Sequence, residues 1–227
     1  MNNQLLTQNY QRVLERIANI DLTKKVNLLA VSKTKPIEQI QALAKLGQTD
    51  FGENYLQESL SKIAIEPHLT WHFIGPIQSN KTKAIAENFT WVHSIDRLKI
   101  ATRLNNQRPE KISKLNVLLE VNISNEESKS GFLPSEVIEI AKQINQLPNL
   151  ILRGLMAIPL RTNTIEQQRK PFKKMHELLN QCQQAIPNNQ MDTLSMGMSA
   201  DLEAAITEGA TIVRVGSDIF GAREVKI

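Results

Sequence analysis

Two lysines, Lys33 and Lys35, close a short apolar run, and an arginine, Arg214, sits inside another such run between Val213 and Val215. A lysine at the inner end of an apolar strand lies where low dielectric and a facing cation favour the neutral amine, a nucleophile toward carbonyl carbon. The competing reading is an ammonium that snorkels to solvent from a strand end. A guanidinium cannot shed its charge, so Arg214 needs an acceptor: a carboxylate from another strand, Glu53 or Glu120, or an atom of a ligand. Ser199 and Gly216-Ser217 form a third group. Ser199 precedes a helical stretch whose free N–H groups and positive end favour an anion, and Gly216-Ser217 adds a closely approachable backbone and a hydroxyl. Against this, Ser199 reads equally as a helix N-cap with Asp201 and Glu203 settling the first turn, and Gly216 as a turn glycine.

Bringing these groups together requires a regular scaffold. Leu6, Tyr10, Val13, Leu14 and Ile17 stand at helical spacing, predicting an amphipathic helix over residues 5–17. Residues 26–33 (VNLLAVSK) follow as a strand; Pro36 then starts a helix with Ile37, Ile40, Leu43 and Ala44 on one face and Gly47 to stop it. The unit recurs, with strands at 50–54, 71–75, 91–95, 116–123, 153–159, 193–197 and 212–221. Helices are predicted at about 55–64, about 79–88, after Asp96 as a capping residue, from about Pro134-Ser135, at about 165–185 and in SADLEAAITEG. Eight such repeats predict a closed (β/α)8 TIM barrel of the α/β class, with residues 1–227 as a single domain. No length remains after strand eight for a full helix, so the opening helix is expected to cover the place of the missing eighth one, beside strand one. Active sites of this fold gather at the C-terminal strand ends, where Lys33, Glu53-Asn54, Ser199 and Arg214 to Ser217 all fall. Lys33 shares a face with Leu29 and Val31; Lys35 has the same parity but directly precedes Pro36 and belongs to the loop.

Composition narrows the function classes. The net charge is +4, but the basic groups Lys24-Lys25, Lys81-Thr82-Lys83 and Lys173-Lys174 are short and scattered, without interleaved aromatics, which argues against a nucleic-acid face. The polar opening MNNQLLTQNYQRVLERI and the lack of a long apolar run predict a cytoplasmic protein without a membrane span. The lone Cys182 excludes an internal disulfide and sits in no nucleophile motif. An imine-forming lysine and a phosphate site at one barrel mouth leave two ligand classes, a phosphosugar handled by a Schiff-base aldolase or pyridoxal 5′-phosphate (PLP). An arginine at the pyridine nitrogen keeps the ring neutral and weakens the electron sink, where a carboxylate would strengthen it. Schiff-base aldolases of this fold characteristically carry the lysine on strand six, and Arg153 to Pro159 contain none.

The blocks AVSKTKP (30–36), FGENY (51–55), WHFIGPIQSNK (71–81), HSIDR (93–97), RGLMAIP (153–159), LSMGMSADLEAAI (194–206) and VRVGSDIFGAR (213–223) resemble, in order and from strand one to the C-terminus, the pyridoxal phosphate homeostasis protein family (YggS/PROSC). The resemblance implies a PLP-binding barrel like the N-terminal domain of alanine racemase, with the cofactor imine on the first lysine of VSKTKP, Lys33. It further implies that Ser199, Gly216 and Ser217 hold the phosphate, that Arg214 faces the pyridine nitrogen and that Asn54 lies near the ring. Many relatives carry Thr where this chain has Ser217, a change that keeps the hydroxyl. Met156 either packs on the ring face or fills the core. The implied role is a non-catalytic carrier that limits free PLP and supports vitamin B6 and amino-acid homeostasis, with PLP-dependent apoenzymes as recipients. The alternative, an amino-acid racemase, needs a second acid/base that the racemase takes from a tyrosine of an extra dimerising domain. That domain has no counterpart here, so a monomer is expected, and neither Tyr10 nor Tyr55 is placed for the role. His72 and His93 lack a third ligand at metal spacing, and Lys129, in the loop Asn122 to Gly131, is read as solvated or as a contact for a phosphate or partner.

Overall fold

Strand periodicity alternating with helical periodicity becomes eight parallel strands that close into a barrel in sequence order, β1 to β8, in the computed structural model. It describes residues 2–222 apart from residues 22, 24 and 127; Lys24, Arg223 and the segment to Ile227 lie outside the described residues. The chain runs α1 (Asn3–Ala18), β1 (Asn27–Val31), α2 (Ile37–Ala44), β2 (Asp50–Glu53), α3 (Leu56–Ile65), β3 (Thr70–Phe73), a 3-10 turn at Ser79–Lys81, α4 (Thr82–Asn88) and β4 (Trp91–Ile95). It continues through α5 (Leu98–Gln107), β5 (Leu115–Glu120), α6 (Val137–Asn145), β6 (Leu150–Met156), α7 (Ile165–Ala185), β7 (Thr193–Ser195), α8 (Leu202–Thr207), β8 (Ile212–Val215) and α9 (Ser217–Phe220). Barrel closure pairs β1 with β8, setting Leu29 opposite Arg214 and Ala30 opposite Val215.

Each strand is buried on both faces, outward against the helices and inward against the barrel interior, which is why the strands read as near-continuous apolar runs. Gly52 faces inward: a Cβ there would lie 3.1 Å from Ile74 and 3.3 Å from Leu29. At Gly154, φ is +149° and a Cβ would stand 1.9 Å from the Thr193 carbonyl, so close approach of β6 and β7 requires glycine. The register shift between β5 and β6 lies beside it, where Val117 pairs Leu152 and Leu118 pairs Gly154.

Helix α1 buries Leu6, Tyr10, Val13 and Ile17, and the Asn2 side chain caps it by accepting from the Leu5 N–H. It packs on α2, α8 and α9 and so covers the seam between β8 and β1, as its spacing led us to expect. Strand eight, expected to run over 212–221, ends at Val215, and α9 forms a single helical turn where none was foreseen. At β1 the strand ends at Val31, and Thr34 adopts φ +63°, so Lys33 stands in the turn beyond the strand. Asp96 does not cap α5: Arg97 holds the cap position with no side-chain cap bond, and Asp96 instead lies 3.3 Å from the Arg97 guanidinium. Among the described residues no helix is long and apolar enough to cross a membrane.

Candidate active site at the barrel mouth

A cavity of about 540 Å³ opens at the C-terminal ends of the strands, within the range of small-molecule sites. Lys33, Asn54, Met156, Ser199, Arg214, Gly216 and Ser217 all line it, so residues separated by up to 184 positions converge on one space. Ile74, Ile158 and Arg161 line it as well and were not singled out from the sequence. Ile74 was the legible one, because it continues the inward face of His72 two residues on.

Lys33 is held through its neighbours. The Ser32 hydroxyl donates to Glu53 Oε1 at 2.6 Å, the Ser32 carbonyl accepts from Lys62 Nζ at 2.8 Å, and the Thr34 N–H donates to Glu58 Oε1 at 2.6 Å. Lys62 links both carboxylates, bonding Glu53 at 2.7 Å and Glu58 one helical turn away. Burial pushes the Glu53 carboxyl up from its ordinary value, with the Lys62 charge pulling back. Lys35 is occupied elsewhere: its ammonium donates to the carbonyls of Phe220, Gly221 and Ala222, closing the end of α9. Both lysines line the cavity: the Lys35 ammonium is engaged by those three carbonyls, and Lys33 stands in the turn that follows β1.

Arg214 is 5% exposed and takes neither carboxylate offered by the sequence reading. Glu53 points outward to α3, because strand alternation puts it on the opposite face from Asn54, and Glu120 acts on Arg214 only through its charge. The acceptors are neutral: the Ser195 carbonyl at 2.6 Å, the Ser195 hydroxyl at 2.7 Å and the Ala157 carbonyl at 3.0 Å. A guanidinium has five N–H donors, so donors remain for a further acceptor in the cavity it lines. Burial draws the group down to about 10, with Asp201 and Glu120 opposing, and it stays charged at neutral pH.

Ser199 and Ser217 bring their hydroxyls to 3.4 Å. Ser199 is not the N-cap of α8: that position belongs to Asp201, whose Oδ1 accepts from the Met198 N–H at 2.6 Å. Helix α8 is only six residues long and starts at Leu202, so the hydroxyl pair is the anion-directed feature. Gly216 lets β8 lie close to β1; a Cβ there would stand 3.2 Å from the Val31 carbonyl. Arg16 of α1, unremarked in the sequence, ties this corner together. It bonds Glu203 at 2.7 Å, Asp218 at 2.6 Å and the Ser199 carbonyl at 2.8 Å.

Asn54 Oδ1 is a buried polar atom at the cavity wall with no hydrogen-bond partner within the protein. Met156 is 2% exposed, at once core filling and cavity wall. Neither tyrosine borders the cavity: Tyr10 is buried in α1 and donates to Gln48, and Tyr55 is 49% exposed. Lys129 pairs with Glu126 and donates to the Ile158 carbonyl, pinning its loop to the one after β6. Burial pushes the Cys182 thiol up to about 11. Among the described residues no group of three or more His, Cys, Asp or Glu side chains could hold a metal ion.

The alanine racemase N-terminal domain family model matches residues 2–224. A pyridoxal phosphate homeostasis protein of Pasteurella multocida is 52% identical over 223 residues, covering 96% of this chain and 95% of that protein. The chain belongs to the pyridoxal phosphate homeostasis protein family. Its counterpart named so in Pseudomonas aeruginosa is 57% identical over 201 residues, 88% of this chain and 85% of the relative. Among solved structures, PipY of Synechococcus elongatus with PLP bound superposes with a TM-score of 0.81 at 35% identity, over 91% of this chain and 99% of that one. Alanine racemase from Corynebacterium glutamicum shares the fold, with a TM-score of 0.74 at 16% identity over 98% of this chain and 62% of its own.

Proposed function

We propose that this chain is a single-domain, monomeric PLP carrier of the cytoplasm that holds the cofactor on Lys33 and takes part in vitamin B6 and amino-acid homeostasis, without catalytic turnover. The observation that carries this reading is the convergence in one cavity of a turn-mounted lysine, a buried arginine with donors to spare and a pair of serine hydroxyls. The residues fit the group. Lys33 would hold the cofactor at its aldehyde carbon as a reversible Schiff base, from which hydrolysis recovers it. Ser199, Ser217 and the backbone at Gly216 would hold the phosphate, Arg214 would donate to the pyridine nitrogen, and the orphaned amide of Asn54 would meet a polar edge of the ring. When bound, PLP supplies an electron sink, and an arginine at the pyridine nitrogen keeps that sink weak.

The PLP named with PipY supports this choice of ligand, and the name shared by the relatives supports the role. The racemase alternative asks for a second acid/base, and neither Tyr10 nor Tyr55 borders the cavity. Apoenzymes that need PLP would be the recipients. Incubating the PLP-loaded protein with L-amino acids while following optical rotation separates the two readings. A carrier leaves rotation constant; turnover abolished by Lys33→Ala establishes a racemase.

A further inference from the structure

Polar side chains cross the barrel interior in an unbroken series that ends on Arg214. Asp50 Oδ1 meets His72 Nε2 at 2.9 Å, His72 Nδ1 meets His93 Nε2 at 2.9 Å, and His93 Nδ1 meets Ser195 Oγ at 2.9 Å. Ser195 Oγ in turn accepts from Arg214 at 2.7 Å. The members come from β2, β3, β4, β7 and β8, and both histidines, Ser195 and Arg214 are buried. We propose that Asp50, His72, His93 and Ser195 form a positioning relay that fixes the direction of each hydrogen bond along the series, leaves a Ser195 Oγ lone pair to accept from Arg214 and so helps orient its guanidinium toward the cavity.

The direction follows from the two ends. Arg214 only donates, and the Asp50 carboxylate only accepts. Ser195 Oγ accepts from Arg214 and passes its own hydrogen to His93 Nδ1. A neutral His93 then carries its hydrogen on Nε2 and donates to His72 Nδ1, and His72 donates from Nε2 to Asp50. The opposite arrangement would turn a bare His72 Nε2 lone pair toward an anion, so the Asp50 charge is what excludes it. Both rings are held neutral, since burial lowers His72 and lowers His93 well below the ordinary histidine value. Trp91 stacks on His72 with ring centroids 5.4 Å apart and planes 5° from parallel, fixing the ring that would otherwise turn. At the cavity end, one Arg214 nitrogen is held by both the hydroxyl and the carbonyl of Ser195, leaving the guanidinium little freedom to rotate.

The relay is a statement about this chain's own residues; only its spectroscopic readout rests on the PLP reading. The direct test is long-range proton–nitrogen correlation on histidine-labelled protein. At neutral pH the relay requires His72 and His93 both to be Nε2–H tautomers, and Asp50→Asn to release them into mixed or reversed tautomers. Either ring found as Nδ1–H or doubly protonated in the native protein overturns it. On PLP-loaded protein, Ser195→Ala is expected to shift the absorption band of the bound cofactor and weaken binding roughly ten-fold, the loss of one bond to a charged group, while a borohydride-trapped adduct still forms. A trapped adduct with spectrum and affinity unchanged in Ser195→Ala overturns the relay. No adduct in the native protein overturns the PLP reading instead and leaves the tautomer result standing.

Discussion

Burying two neutral histidines at the barrel centre makes this protein's stability acid-labile in a range where few other groups titrate. His72 and His93 have folded-state values below the unfolded value of about 6.5, so the unfolded chain binds more protons as the pH falls. Their stabilising contribution is complete above about pH 6.5 and is lost as the pH drops through the folded-state values. A histidine that stayed neutral in the fold throughout would lose about 2 kcal/mol of stability between about pH 7 and pH 5, the upper bound for each ring. His93, held well below its ordinary value, comes nearer to that bound than His72. Glu53, Asp96 and Glu120, all raised by burial, act with the opposite sign, because their protonation favours the fold. The comparison that isolates the histidines is therefore urea unfolding of the native protein against His72→Gln/His93→Gln across this range. The stability difference between the two proteins should shrink from about pH 7 to about pH 5, by at most about 4 kcal/mol. A difference that does not change with pH would mean the histidines are not buried neutral, and the argument from their burial would fail.

Other substitutions probe the supports of the site. Lys62→Met leaves the Glu53 carboxylate buried without its ion pair and should cost about 3–5 kcal/mol at neutral pH, part of which returns in mild acid as Glu53 takes up a proton; urea unfolding at two pH values reads both effects. Arg16→Ala unties the Ser199 and Ser217 corner and is expected to weaken PLP binding roughly five-fold while Lys33 remains reactive, as a fluorescence titration would register. Gly154→Ala forces a Cβ into the Thr193 carbonyl and should destabilise by about 3 kcal/mol or more, lowering Tm by roughly 6–12 °C in thermal denaturation.

The strand and helix pattern was legible where the periodicity was long and uninterrupted: 91–95 and 165–185 are the observed bounds of β4 and α7. It failed at ends decided by single side chains or backbone angles, as when β1 ended at Val31, two residues before its expected end and just ahead of the turn at Thr34, and Arg97 displaced Asp96 at the head of α5. Strand-end position nominated Lys33, Asn54, Ser199, Arg214, Gly216 and Ser217 for the barrel mouth, whereas Met156 came only with the family resemblance. What holds them could not be nominated so. The Arg214 acceptors are main-chain carbonyls and a serine, which no spacing announces, and the Asp50 to Ser195 series joins residues up to 145 positions apart. Arg16 was invisible for the same reason, since its three partners, Ser199, Glu203 of α8 and Asp218 of α9, lie at the other end of the chain.

Lys33, and not its neighbour Lys35, is the residue proposed to carry the cofactor. Loading the protein with PLP, reducing with borohydride and mapping the modified peptide tests it directly. The account predicts a single pyridoxyl adduct on Lys33, lost in Lys33→Ala with Lys35 still unmodified; an adduct on Lys35 or any other lysine of the native protein would contradict it.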